Sequence, residues 1–162
     1  MSKKASFGCD LAFFVALMAS AVALGGALAH AFELPNKIGL AQEQYFIVQQ
    51  AYRGWSLLGV VLSVQFTGIL AVIIIHRRTR AVLVPALIGL ASLIAAQAVF
   101  WVFTFPANAA TQNWTVQPAN WEALRAQWEY SHLAGAALQL IVMAALAIAV
   151  LRRPQSLERC RP

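Results

Sequence analysis

Charge is what this chain has least of. Of 162 residues only 11% are Asp, Glu, Lys or Arg, six of them acidic and twelve basic, against about 25% in an ordinary soluble domain. So little charge excludes a solvated disordered chain and argues against a water-soluble globule. Cysteine is also scarce. Cys9 and Cys160 lie near opposite ends and there is no CxxC pair, so neither a disulfide framework nor a thiol–disulfide oxidoreductase of the four-helix membrane type is expected. Nor is there a basic stretch interleaved with aromatic residues of the kind that grips nucleic acid.

What fills the sequence is apolar. Hydrophobic residues make up 60% of it, and four stretches without a charged residue carry the excess: Leu11–Ala29, Trp55–Ile75, Ala81–Phe105 and Leu133–Leu151. A helix rising about 1.5 Å per residue needs about 20 residues to cross about 30 Å of hydrocarbon. Helices satisfy their own backbone hydrogen bonds in lipid, and no barrel can close from these segments. The expected fold is therefore all-α, an integral membrane four-helix bundle in a single domain over 1–162, with spans at about 11–32, 55–75, 81–105 and 132–151.

Basic residues orient the spans. Lys3, Lys4, Arg77, Arg78, Arg80, Arg152, Arg153, Arg159 and Arg161 fall on one side, and only Lys37, Arg53 and Arg125 on the other. The positive-inside rule places the first group in the cytoplasm. Both termini are then cytoplasmic, in the inner or plasma membrane. Lys3–Lys4, an apolar core and Ala27-Leu28-Ala29 also resemble a cleavable signal. The apolar run is longer than a usual signal core, so the first helix is expected to be retained.

On the outer side, Leu34-Pro35-Asn36-Lys37-Ile38-Gly39 is expected to turn the chain. The apolar pattern of Ala41–Tyr52 predicts a helix continuing into span two, and Asn120 is placed to cap a helix starting at Trp121. Helices two and four should thus extend beyond the outer face. All five tryptophans and all three tyrosines lie in or near this outer half, which is not the two-sided belt of a simple anchor.

Two short motifs mirror each other there. His30-Ala31-Phe32-Glu33 closes the first span and Glu129-Tyr130-Ser131-His132 opens the last. With i, i+3 spacing, imidazole and carboxylate share a helix face, and antiparallel helices would bring both pairs to one depth. Trp121, Arg125, Trp128, Glu129 and His132 form one stripe on helix four. Ionisable residues at membrane depth are functional candidates by default. His30, Glu33, Arg125, Glu129 and His132 are therefore the candidate catalytic set, and Gln49, Arg53, Asn108, Trp114, Trp121 and Trp128 the candidate substrate-binding wall.

The run Phe105-Pro106-Ala107-Asn108, Thr111, Asn113-Trp114 and Trp121 through Glu129 with His132 resembles the anthrone-oxygenase-like family. These are small four-helix membrane proteins, most of unknown function. The resemblance implies an oxygenase acting on polycyclic phenolic substrates and touches Asn108, Trp121, Arg125, Trp128 and His132.

The residues themselves leave several chemistries open. His30, Glu33, Glu129 and His132 are enough ligands for a mononuclear metal of the two-histidine, one-carboxylate kind; a di-iron site would need two more glutamates, and only Glu43 is near. Without a metal, His132 or His30 would deprotonate a phenol, oriented by Glu129 or Glu33, with Arg125 stabilising the enolate. His30 and His132 are also placed as axial ligands of haem b. The non-enzymatic alternative is a bundle binding a lipid, a quinone-like aromatic or a partner subunit. Small residues along span four, Ala134 to Ala137 and Ala144–Ala145, suit close packing within the protomer or in a homo-oligomer.

Overall fold

A computed structural model describes residues 3–153; Cys160, Arg159 and Arg161 lie outside them. Every regular element is helical: α1 (Lys3–Lys37), α2 (Gln42–Gln49), 3₁₀ turns at Gln50–Tyr52 and Trp55–Leu57, α3 (Leu58–Ile75), α4 (Arg80–Val99), a π turn at Phe100–Thr104, α5 (Phe105–Ala110) and α6 (Trp121–Leu151). Among the described residues four helical segments are long and apolar enough to cross a membrane, Phe7–Lys37, Trp55–Ile75, Arg80–Ala110 and Trp121–Leu151. At most 33% of each apolar window is buried. Large side chains such as Phe14, Met18, Val60, Ile94 and Leu151 face outward, as a lipid solvent permits and water does not.

The packing is uneven. α6 lies against both α1 and α4, α1 also against α3, and the α3–α4 side is thinner. Close approach of α1 and α3 depends on Gly68, where a Cβ would stand 3.0 Å from the backbone of Ala16. The core of the bundle is small and aliphatic, with Ala16, Ile69, Val72, Val82, Ala86, Val142, Leu146 and Ala149 all buried. Within it sits one polar knot. Gln65 Nε2 donates to Ser20 Oγ (3.1 Å) and Gln139 Oε1 (2.9 Å), tying α1, α3 and α6 through atoms that in hydrocarbon have no other partner.

Asp10 and Arg153 pair at 2.6 Å, and Phe13 packs on His76 with ring centroids 5.4 Å apart. The start of α1, the α3–α4 turn and the end of α6 therefore meet at one end, called here the basic end. Cys9 is a free thiol there. The opposite end, the crown, is built from the last turns of α1, from α2, from the 100–120 segment and from the first three turns of α6.

Three boundaries differ from expectation. α1 does not turn at Leu34–Pro35. It carries Pro35 inside and runs to Lys37, turning only at Ile38–Leu40, because tertiary contacts of Lys37 hold the last turn. The helix expected from Ala41 into span two is broken at Gly54, whose φ of +92° is left-handed and suits only glycine. Pro106 does not end the third span either. The π turn ahead of it, closed by Phe105 N–H to Phe100 C=O, lets the chain re-enter an α-helix with proline in the first turn, where its missing N–H costs least. The α6 start at Trp121 agrees with expectation, although the Asn120 side chain makes no capping bond.

Candidate functional site

The crown has two floors. On the lower one, His30 from α1 is buried and ringed by His132 (centroids 4.2 Å), Tyr52 (4.5 Å), Trp55 (4.9 Å) and Trp128 (5.1 Å). His132 stacks on Trp128 at 3.9 Å, and its Nδ1 donates to the Trp128 carbonyl at 2.9 Å. His30 Nδ1 is buried without a partner. The two imidazoles therefore do meet, as the mirrored motifs predict.

The carboxylates behave differently, because a cation separates them. Lys37 is only 3% exposed, and its ammonium lies 3.5 Å from Glu33 Oε2 and 3.3 Å from Glu129 Oε1, while donating to Tyr52 Oη at 2.6 Å. It also lies over the rings of Tyr52 and Trp128, 4.5 and 5.0 Å from their centroids, where an ammonium is attracted by the π face. Tyr52 donates to Glu33. Glu129 is 1% exposed; its Oε1 also accepts from Tyr45 Oη at 3.0 Å, and its Oε2 has no partner. Gln49 completes the chain by donating to the Tyr45 oxygen. Tyr45 lies on α2, outside the spans, and burial, reinforced by the neighbouring Glu129 charge, raises its phenol above the ordinary value near 10.

The upper floor is aromatic. Tyr45, Phe46, Trp114 and Trp121 interlock, with centroids 5.0 to 6.2 Å apart in four of the contacts. Asn108 joins two indoles, its Oδ1 accepting from Trp128 Nε1 at 2.8 Å and from Trp114 Nε1 at 3.3 Å. Trp114 is delivered by three successive residues with positive φ, Gln112, Asn113 and Trp114 itself, a strained run closed by Asn113 N–H to Asn108 C=O at 2.7 Å. Arg125 donates to the Leu40 carbonyl at 2.7 Å and lies 4.5 Å over Trp121, pinning the α1–α2 turn.

Set against the sequence, the stripe Trp121, Arg125, Trp128, Glu129, His132 does turn inward, whereas Tyr130 within that run and Leu133 just after it are exposed. Gln49, Asn108, Trp114, Trp121 and Trp128 belong to the crown interior. Arg53 does not: it is exposed and bonds Gln50. Arg125 sits two turns above His132, on the other floor, and does not accompany the imidazoles. The proposed metal set His30, Glu33, Glu129 and His132 is not gathered. Among the described residues no three His, Cys, Asp or Glu side chains lie together as a metal would need, because Lys37 takes the place between the carboxylates. His30 and His132 touch ring to ring, so they do not flank a gap for a haem between them.

Lys37 is the member that sequence reasoning did not place in the site, and Tyr45 and Tyr52, expected only as part of the outer aromatic wall, prove to be hydrogen-bond donors within its ion cluster. Two signals point to them: Glu33 and Lys37 at i, i+4 on one helix face, and Tyr45 and Gln49 at the same spacing on α2. A groove of about 400 Å³ adjoins the lower floor on the apolar flank of α1 and α3, lined by Val22, Gly26, Gly54, Trp55, Leu57, Leu58 and Val61. Comparison with protein-family models, curated proteins and solved structures finds no match for this chain. The anthrone-oxygenase-like resemblance therefore rests on its short motifs alone.

Proposed function

We propose that this protein is a multi-pass protein of the cell membrane, with both termini cytoplasmic and the crown on the outer face, that takes an aromatic amphiphile of phenol or quinone type from the bilayer. One observation carries the reading. The groove between α1 and α3 opens on the apolar flank and is lined by Trp55, whose ring packs 4.9 Å from that of His30, the imidazole with an unpartnered buried nitrogen. A flat apolar ring would stack in that aromatic corner, and a ring hydroxyl would donate to His30 Nδ1. Concave, mostly apolar sites with few polar groups are the usual form of small-molecule sites.

The primary role in this reading is binding. The oxygenase-like alternative uses the same His30–His132 corner, with an imidazole taking the phenolic proton before the anion meets oxygen.

The test is titration of the purified full-length protein in lipid nanodiscs with a short-chain quinone, read as tryptophan fluorescence quenching. Quenching should saturate, and Val22→Phe, which fills the groove, should weaken binding about tenfold, equivalent to about 1.4 kcal/mol. Linear, unsaturable quenching, or an unchanged Val22→Phe, overturns the reading. Oxygen uptake with an anthrone that is lost in His132→Ala, while quenching survives, would promote the enzymatic alternative.

A further inference from the structure

The ion cluster of the crown is a connected path with one wet end. The Glu33 side chain is 48% exposed, whereas those of Lys37 and Glu129 are 4% and 0% exposed. Between them the contacts are continuous. Tyr52 donates to Glu33, Lys37 donates to Tyr52 and lies 3.3 Å from Glu129, and Tyr45 donates to the same Glu129 oxygen. That leaves Glu129 Oε2, buried and without a donor. A buried carboxylate oxygen in that condition is costly, and a proton on it relieves the cost.

We infer that the crown holds a proton-exchange route in which Glu129 stores a proton on its buried oxygen and Lys37, Tyr52 and Glu33 carry it to the solution outside. The hydrogen bonds already point outward. In the release step, the Lys37 ammonium gives a proton to the Tyr52 oxygen as Tyr52 gives its own to Glu33. The Lys37 amine then takes the proton of Glu129, presented by a half-turn of the carboxyl. An O–H bond at Glu129 is broken and one at Glu33 is formed, Lys37 and Tyr52 end as they began, and water removes the proton from Glu33. No electrons move, so no oxidant is required; loading is the same path reversed.

The other ionisable groups around Glu129 are Tyr45 on α2, His30 on α1, and Arg125 and His132 on α6. Tyr45 stays a donor, since burial holds its phenol protonated. Arg125 is engaged with the Leu40 carbonyl on the upper floor. His30 and His132 are bound into the ring stack, and no hydrogen bond joins either to the chain from Glu33 to Gln49. The inference stands on this cluster and does not require that a ring occupy the groove.

The experiment is infrared spectroscopy of the full-length protein in lipid, following the carbonyl stretch of a protonated carboxyl and its exchange after transfer into D₂O. Wild type should show a band that Glu129→Gln removes. Tyr52→Phe and Glu33→Gln should keep the band and slow its exchange about a hundredfold, with tryptophan fluorescence confirming a folded crown. Where Glu129→Gln does not assemble, the exchange rates of the other two variants decide. Exchange at the wild-type rate in both overturns the inference, as does the survival of every carboxyl band in a folded Glu129→Gln protein.

Discussion

The two ends of this bundle solve the same problem, closing four helices against water, by opposite means. At the basic end one ion pair among the described residues, Asp10–Arg153, has 54% and 34% of the side chains exposed, and one half-buried histidine packs on a phenylalanine. At the crown the charges are inside, Lys37 and Glu129 being almost inaccessible, and aromatic rings replace solvent around them. An exposed pair can be lost cheaply because water substitutes for either partner. A buried pair cannot, because nothing does. The crown is thus the rigid, high-stakes end, and the basic end is the forgiving one.

The comparison breaks most visibly at Lys37. Lys37→Met strips the deprotonated form of Glu129 of its cation, and thermal unfolding in detergent, read at a pH where Glu129 has released its proton, should show a loss of about 3–5 kcal/mol; adding Glu129→Gln to it should restore much of that loss, the sign of a charge left unpaired rather than of packing lost. Asn108→Ala should cost about 1–3 kcal/mol by orphaning the Trp128 indole N–H, with a shift in tryptophan emission as the local readout. Between the two ends, Gln65→Leu should cost about 0.6–1.7 kcal/mol, the range for hydrogen bonds between helices in lipid. Arg153→Ala, the mirror of the first experiment at the basic end, should change stability by about 1 kcal/mol or less, and less still in high salt.

Acid and alkali should also divide the molecule. Burial, and after it the Arg153 charge, lower the proton affinity of His76 in the turn between α3 and α4. The unfolded chain therefore binds this proton first, so the stabilising contribution is present above the unfolded value near 6.5 and is lost as pH falls below it. Tyr45 works in the other direction. Its raised value means that the unfolded chain releases the proton first, so its contribution is intact below about pH 10 and is lost as pH rises beyond it. Unfolding curves should accordingly be shallower on the acid side in His76→Gln and on the alkaline side in Tyr45→Phe.

The four membrane-length helices were legible because a run of about 20 uncharged residues has few alternatives. So was the inward stripe of α6, from its spacing. Less legible were features that depend on one residue in a tertiary setting. Lys37, beside Pro35 and Gly39, reads as a solvated cation on a turn, and only the convergence of two carboxylates and two rings buries it. Ser20, Gln65 and Gln139 are single polar letters in apolar runs whose meaning appears only when three helices align them. Arg53-Gly54 gives no warning of a helix break inside an otherwise helical pattern until φ is seen to be positive. Asn108 was read as lining a pocket, yet its carbonyl is already committed to two indoles.

The wide turn at Phe100–Thr104 sets the phase of everything that follows it. Each residue advances an α-helix by about 100°, so rewinding that turn as regular α-helix with every residue kept would swing Asn108 by roughly that angle away from its indoles while leaving the hydrophobic length of the span almost unchanged. Length and phase are thus governed separately in the third span: its apolar letters decide how far it reaches, and the winding of one turn decides which way its tip faces.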